Sequence, residues 1–269
     1  MNQYPNVAGR VAVVTGASRG LGAGLAIHFA TSGMHLGLCA RHKPRLVVRT
    51  RPTAHDGRLE RSETPIMQSV DVTDRDALAR FADAVITRFG RIDLWVNNAG
   101  LLPPIGPLAD ATGEDIAGGI ATNVTGVANG SSVFAEHVRS RPGRGVLVNV
   151  SSGAARKAYE GWAVYCASKA AVDQLTRVIA LEETRHELSA YSVAPGLIDT
   201  DMQVVIRASD ESRFPEVARF RRVAEQHRFN STAWVADHIL ALAFGPDRPE
   251  TVTLRIPDQV DAGAPGTAS

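Results

Sequence analysis

Two cysteines are too few for a disulfide framework, and Cys39 and Cys166 both lie in apolar stretches, where two buried reduced thiols are expected. Neither sign of charge is in excess: 29 lysines and arginines stand against 28 acids, for a formal net charge of +1. That balance points to neither a nucleic acid nor a membrane surface as partner. No apolar run approaches the roughly 20 residues a membrane helix needs. The first ten residues, MNQYPNVAGR, lack the basic segment and apolar core of a secretory signal. No Cys/His cluster has metal-ligand spacing, so no metal site is expected. These absences leave a cytoplasmic protein with a small-molecule partner as the expectation. Eight histidines are scattered outside every motif, and His186 and His238 read as surface residues.

A hydrophobic content of 44% over 269 residues is enough for one large core. Short apolar runs alternate with helical patterns. Strands are expected at 10–15, 34–40, 66–72, 92–97, 145–150, 188–193 and 251–256. Helices are expected at 21–31, 74–89, 114–139, 165–184 and 231–244, with Thr73 as the N-cap of the second. Such alternation argues for the α/β class, a three-layer doubly wound parallel sheet, as a single domain over 1–258. Two regions fit less well. Residues 43–64 carry Pro44, Pro52 and many arginines where a regular unit would have a helix, so a short or broken helix of low order is expected. Residues 207–230 are polar and partly helical, and a substrate lid is expected over about 203–230. The arginines of 219–222 read as a solvated helix face. The tail 259–269, QVDAGAPGTAS, reads as disordered.

The first strand runs into Thr15-Gly16-Ala17-Ser18-Arg19-Gly20-Leu21-Gly22. Glycines permit a tight turn and close backbone approach to a pyrophosphate, and the helix that follows aims its amides at the phosphates. The position, after the first strand and opening a helix, makes this a dinucleotide signal. An acid at the end of the second strand would bind the ribose of NAD, but the strand ends at Ala40-Arg41. Arg41 and Arg19 suit a 2′-phosphate through charge-assisted bonds, which favours NADP(H). Asp71, followed by Val72, ends the third strand, where its carboxylate suits an adenine amine or caps a turn.

Tyr165 and Lys169 are four apart on an expected helix and so share a face. An ammonium beside a phenol favours the phenolate and is expected to lower its pKa toward the range of a general acid/base. Ser151 and Ser152 end the fifth strand at the carboxyl edge where α/β ligands bind, and Ser152 lies thirteen residues before Tyr165. A hydroxyl there can hold a carbonyl oxygen beside the tyrosine, although Ser-Ser-Gly also reads as a polar strand exit. Trp162 and Met202 flank these segments and are candidate substrate-pocket residues, or ordinary packing.

In this order, TGASRGLG, Asn97-Asn98-Ala99-Gly100, Asn123, Ser152, Tyr165-x-x-x-Lys169 and Pro195-Gly196 resemble the short-chain dehydrogenases/reductases over about 8–202 and more weakly to 256. The resemblance implies a Rossmann fold and a tetrad of Asn123, Ser152, Tyr165 and Lys169. It implies that Asn97 to Gly100 stabilise the sheet and line the adenosine side. Pro195, Gly196, Ile198 and Thr200 would contact the nicotinamide end. The segments GWAVYCASK at 161–169, ALEE at 180–183 and APGLIDTDMQ at 194–203 are similar to sepiapterin reductase and to bacterial benzil reductases. That likeness implies NADPH-dependent reduction of a ketone or dicarbonyl, with Ser152 orienting the carbonyl oxygen, Tyr165 giving the proton, Lys169 tuning the tyrosine, and Asn123 holding a water. Where sepiapterin reductases hold the pterin with an aspartate in the final strand, this chain has Arg255, with Asp258 nearby. A 3-oxoacyl thioester or cyclic ketone remains an alternative substrate, and a catalytically silent NADP-binding sensor or scaffold an alternative role. A homodimer or homotetramer through the helices at 114–139 and 165–184 is implied as well.

Overall fold

The β-branched run Val11–Thr15 forms β1, a fully buried strand of the computed structural model, which describes residues 7–46 and 64–259. The chain continues through α1 (Gly20–Thr31), β2 (His35–Ala40), β3 (Ile66–Ser69), α2 (Arg75–Phe89) and β4 (Leu94–Asn97). There follow α3 (Gly113–Ile120), α4 (Gly126–Arg139), β5 (Gly145–Val150), α5 (Ala163–Glu183) and β6 (Leu188–Ala194). The last described elements are α6 (Asp201–Arg207), α7 (Val217–Glu225), α8 (Thr232–Phe244) and β7 (Thr253–Arg255).

The strands make one seven-stranded sheet in the order β3-β2-β1-β4-β5-β6-β7. Every pairing is parallel, from Val11 beside His35 to Ala194 beside Arg255. Side chains of β1 alternate between two cores, as the pleat requires. Ala12 and Val14 pack with Leu25, Phe29, Val235 and Ile239 of α1 and α8. Val11 and Val13 pack with Leu78, Phe81 and Val85 of α2 and Phe134 of α4. The result is the expected three-layer doubly wound single domain. The strand order reverses between β1 and β4, so their carboxyl ends diverge and open a crevice at that edge.

Several boundaries differ from the sequence expectation for local reasons. The third strand stops at Ser69 rather than 72. The Val70 amide still donates to Ala40 O, but Asp71 then accepts from the Thr73 amide and hydroxyl and turns the chain. Thr73 is thereby committed, and the N-cap of α2 is Asp74, whose Oδ1 accepts from Ala77 N. The long helix expected at 114–139 is interrupted. A capping box of Thr112 and Asp115 starts α3, and Ala121–Thr125 then winds as one π turn before α4. Cys39 is buried as expected, but Cys166 is only half-buried, with its thiol 3.8 Å from Lys157 O; both are free thiols. Residues 207–230 contain α7, a short helix. Of the expectation for 43–64, all but Lys43 to Leu46 and Thr64 lies outside the described residues, as does the tail from 260.

Candidate active site

The carboxyl ends of β1, β4, β5 and β6 carry the residues singled out above. At β1, Gly16 and Gly20 take positive φ values of 67° and 54°. A Cβ on Gly16 would sit 2.7 Å from Ala99 Cα, and one on Gly22 2.4 Å from Gly16 O, so side chains are excluded there. Asn98 fixes the turn: its Nδ2 donates to Thr15 O and Gly16 O at 3.0 and 3.2 Å. Its amide and that of Ala99 both donate to the Thr15 hydroxyl at 3.1 Å. No side chain caps the N-terminus of α1, and its first turn holds no acid. A glycine cradle leading to uncapped helix amides fits the phosphates of a dinucleotide. Ser18 and Leu21 belong to this turn and helix start. Thr200, before α6, lies against Gly20, with its Cγ2 3.3 Å from where a Cβ would stand, so the two segments meet.

Arg19 and Arg41 are both exposed at this edge. Arg19 pairs with Asp201 at 3.2 Å, both solvent-exposed, while the Arg41 carbonyl accepts from Ser69 Oγ. Asp71 is exposed with Oδ1 engaged by Thr73, and Val72 is buried. Asn97 stitches the sheet interior: it accepts from Trp95 Nε1 and donates to Asn149 Oδ1 and Ser131 Oγ. Pro195 and Gly196 (φ 79°) follow β6, held by Asn230, whose Nδ2 donates to Pro195 O; Ile198 is buried beyond them.

Helix α5 delivers Tyr165 and Lys169, which are 8% and 6% exposed. The Lys169 ammonium lies 5.8 Å from the Tyr165 ring centroid and donates to Val150 O at 2.9 Å. Ser152, one residue past Ser151 at the exit of β5, hydrogen-bonds with the phenol and favours its ionised form. Burial outweighs this bond, so the phenol is held above its ordinary value. That corrects the expected lowering, because desolvation of a phenolate dominates at this depth. Burial also drives the Lys169 ammonium down to about 8, opposed by the charge of Asp173. Asn123 sits on the π turn, fully buried. Its Nδ2 donates to Leu101 O and Ser168 Oγ, and its Oδ1 accepts from Leu101 N. A Cβ on Gly100 would lie 3.4 Å from that Oδ1 and 3.8 Å from Lys169 Nζ, so Gly100 marks where the two side chains converge.

An aromatic wall adjoins the tyrosine. Trp162 meets the Tyr165 ring edge-on at 5.5 Å and stacks on Phe214 at 4.6 Å, with Phe220 and Tyr159 behind; Met202 packs against the same cluster. The segment just before α7 is tied down beside this wall by Lys157–Glu216 at 2.7 Å and Arg213–Asp110 at 3.4 Å. Sequence reading missed Phe214 and Phe220, which stand in a polar stretch, although Phe214, Val217 and Phe220 recur every three residues, the mark of one buried helix face. It also missed Asp173, although its spacing of four from Lys169 placed it on the same helix face. His238, expected at the surface, is half-buried, its ring tilted against that of Trp234. Among the described residues no group of His, Cys, Asp and Glu is arranged to hold a metal, and no helix is long and apolar enough to cross a membrane.

The family model described as short chain dehydrogenase matches residues 10–211. A benzil reductase ((S)-benzoin forming) of Bacillus subtilis is 30% identical over 86% of this chain and 91% of its own. An NADPH-dependent pterin aldehyde reductase of Arabidopsis thaliana is 33% identical over 73% of this chain and 78% of its own. The crystal structure of a short chain dehydrogenase from Burkholderia cenocepacia in complex with NADP is similar in fold, with a TM-score of 0.71 and 26% identity, covering 93% of this chain and 97% of that one.

Proposed function

The chain belongs to the short chain dehydrogenase family, an oxidoreductase of carbonyl and hydroxyl groups that takes a nicotinamide cofactor, and on that premise we propose that it is an NADPH-dependent carbonyl reductase with Tyr165 as proton donor. The observation that carries this reading is the phenol of Tyr165, buried, hydrogen-bonded with Ser152 and backed by the Lys169 ammonium at the crevice edge of the sheet. A phenol held above its ordinary value keeps its proton at neutral pH, as a donor must.

The glycine turn from Gly16 to Gly22, with Asn98, Ala99 and Gly100, would hold the dinucleotide, and Pro195, Gly196, Ile198 and Thr200 its nicotinamide end. When bound, the reduced nicotinamide supplies the hydride that reaches the carbonyl carbon. Ser152 donates to the substrate oxygen and orients it. Tyr165 passes its Oη proton to that oxygen as charge develops there. Lys169 would hold the nicotinamide ribose and places positive charge behind the phenol, which stabilises the ring as its proton departs. Asn123 braces Leu101 and Ser168 around the lysine.

Arg19 and Arg41, with no acid at the end of β2, support NADP(H) over NAD(H). Residues 203–230 act as the substrate lid, and the wall of Trp162, Phe214 and Met202 supports a ketone or dicarbonyl carrying a flat apolar group. The names of the benzil and pterin aldehyde reductases point the same way. Residues 1–258 are proposed as a single dinucleotide-binding and catalytic domain, cytoplasmic and a homodimer or homotetramer. The test is cofactor oxidation over dicarbonyls, pterins and oxoacyl thioesters, with NADH as control. Reduction of a dicarbonyl or pterin with NADPH, lost by a factor of about 10² or more in Tyr165→Phe while NADPH still binds, is expected. Near-normal turnover in that variant would overturn the assignment.

A further inference from the structure

Asp173 is a buried acid that the mechanism above leaves unused. It lies four residues beyond Lys169 and eight beyond Tyr165, so the three share one face of α5. The hydroxyls of Ser151 and Ser192 both donate to its Oδ1, at 2.6 and 2.5 Å. Its Oδ2 lies 3.7 Å from Arg156 Nε. Ser151 leaves β5 just before Ser152, and Ser192 belongs to β6. One carboxylate therefore ties the exit of β5 and the body of β6 to the helix that carries Tyr165 and Lys169. Lys169 grips the same strand exit one residue earlier, through Val150 O.

We infer that Asp173 is a positioning residue, which fixes Ser152 opposite Tyr165 and supplies the negative charge that keeps the Lys169 amine protonated inside the fold. The inference rests on the roles proposed for those three residues. Groups brought to the lysine from other elements are uncharged: the Val150 carbonyl at β5, Gly100 after β4, and Asn123 on the π turn. On its own helix it faces the neutral Tyr165. Arg156, half-exposed after β5, is the second cation at the carboxylate and competes with the lysine. Arg177, one turn further along α5, is directed instead to Gln174 and Thr253. The two serine bonds satisfy the carboxylate where no water is needed, so a buried charge is tolerated.

The test is the pH profile of kcat/KM for carbonyl reduction in wild type, Asp173→Asn and Arg156→Gln, with Tyr165→Phe alongside. Asparagine keeps the size and an acceptor oxygen for both serines but removes the charge. The alkaline fall in activity is expected to move down by about one pH unit or more in Asp173→Asn, and up in Arg156→Gln. In Ser151→Ala and Ser192→Ala the charge stays, so the limb holds its pH while the melting temperature drops. An alkaline limb unmoved in both charge variants overturns the inference. Should Asp173→Asn fail to fold, the upward shift in Arg156→Gln decides alone, since that side chain stands at the surface. Loss of turnover in Tyr165→Phe with unmoved limbs would discard only the role of Asp173. Retained turnover in Tyr165→Phe would discard the catalytic reading itself.

Discussion

At the scale of single residues, the site is a contest between burial and charge. Burial raises the phenol of Tyr165 and lowers the amine of Lys169, and both shifts favour neutral side chains. The lysine therefore sets the upper working limit. Its amine is charged below about 8 and neutral above, so kcat/KM for reduction should fall as pH rises through about 8. A profile flat to pH 10 would rule out a role for the ammonium. Arg41 carries a second residue-scale prediction. A charge-assisted bond to a 2′-phosphate contributes about 1.5–3 kcal/mol, so Arg41→Ala should raise KM for NADPH by roughly 10- to 100-fold and leave KM for NADH unchanged. Steady-state kinetics with the two cofactors measures this. Tyr165, Lys169 and Ser152 were legible in the sequence because fixed spacings and a strand end place them. The direction of the phenol's shift was not, because it depends on how deeply the start of α5 is buried by Phe214 and Phe220, residues distant in sequence.

At the scale of elements, close packing governs what the site can tolerate. Gly130 of α4 presses on β4, and a Cβ there would stand 2.1 Å from Asn97 Oδ1. Alanine in mid-helix would gain about 1 kcal/mol of propensity. Overpacking costs about 1–3 kcal/mol, and breaking the Asn97 bonds to Asn149 and Ser131 leaves buried polar groups unpaired. Gly130→Ala should therefore lower the melting temperature by several degrees despite the better helix former, as calorimetry would show. The α4–β5 connection carries a pH effect. His137 Nε2 accepts from Ile92 N and Arg141 Nε, which requires a neutral ring. Burial, then Arg141 and Arg91, push its pKa from 6.5 to about 4. The unfolded chain binds a proton below 6.5 that the folded chain refuses until about 4. Stability from this group is thus complete above 6.5 and is lost as pH falls through that window. His137→Gln should flatten the melting temperature between pH 7 and 4.5. Strand and helix identity followed from period and composition, and β5 matched to the residue. The N-cap of α2 did not, because Thr73 is diverted to Asp71 by a turn that sequence spacing left open. The π turn holding Asn123 left no signature, since the apolar pattern runs through it unbroken.

At the scale of the whole molecule, some large apolar side chains remain exposed after the core is filled. Leu181 is 80% exposed and Val178 lies one turn before it on α5. Ile116 and Ile120 of α3 are likewise exposed, one turn apart. Parallel strands buried between two helix layers hold the main apolar clusters, and these exposed side chains stand outside them. A two-fold axis along α5 would bury Leu181 of each copy, and symmetry counts each contact twice. Burying one leucine contributes about 1.5–3 kcal/mol, so a pair contributes about 3–6 kcal/mol, or roughly a 10²- to 10⁴-fold change in dissociation constant. Leu181→Glu replaces that gain with two facing carboxylates. Sedimentation velocity should therefore give a dimer or tetramer for the wild type at micromolar concentration and a smaller species for the variant. The catalytic face lies at the carboxyl edge of the sheet, whereas Leu181 sits near the far end of α5 from Tyr165, so the variant should retain NADPH binding. A wild-type monomer at high concentration would refute the arrangement, and an unchanged assembly in Leu181→Glu would move the interface to another face.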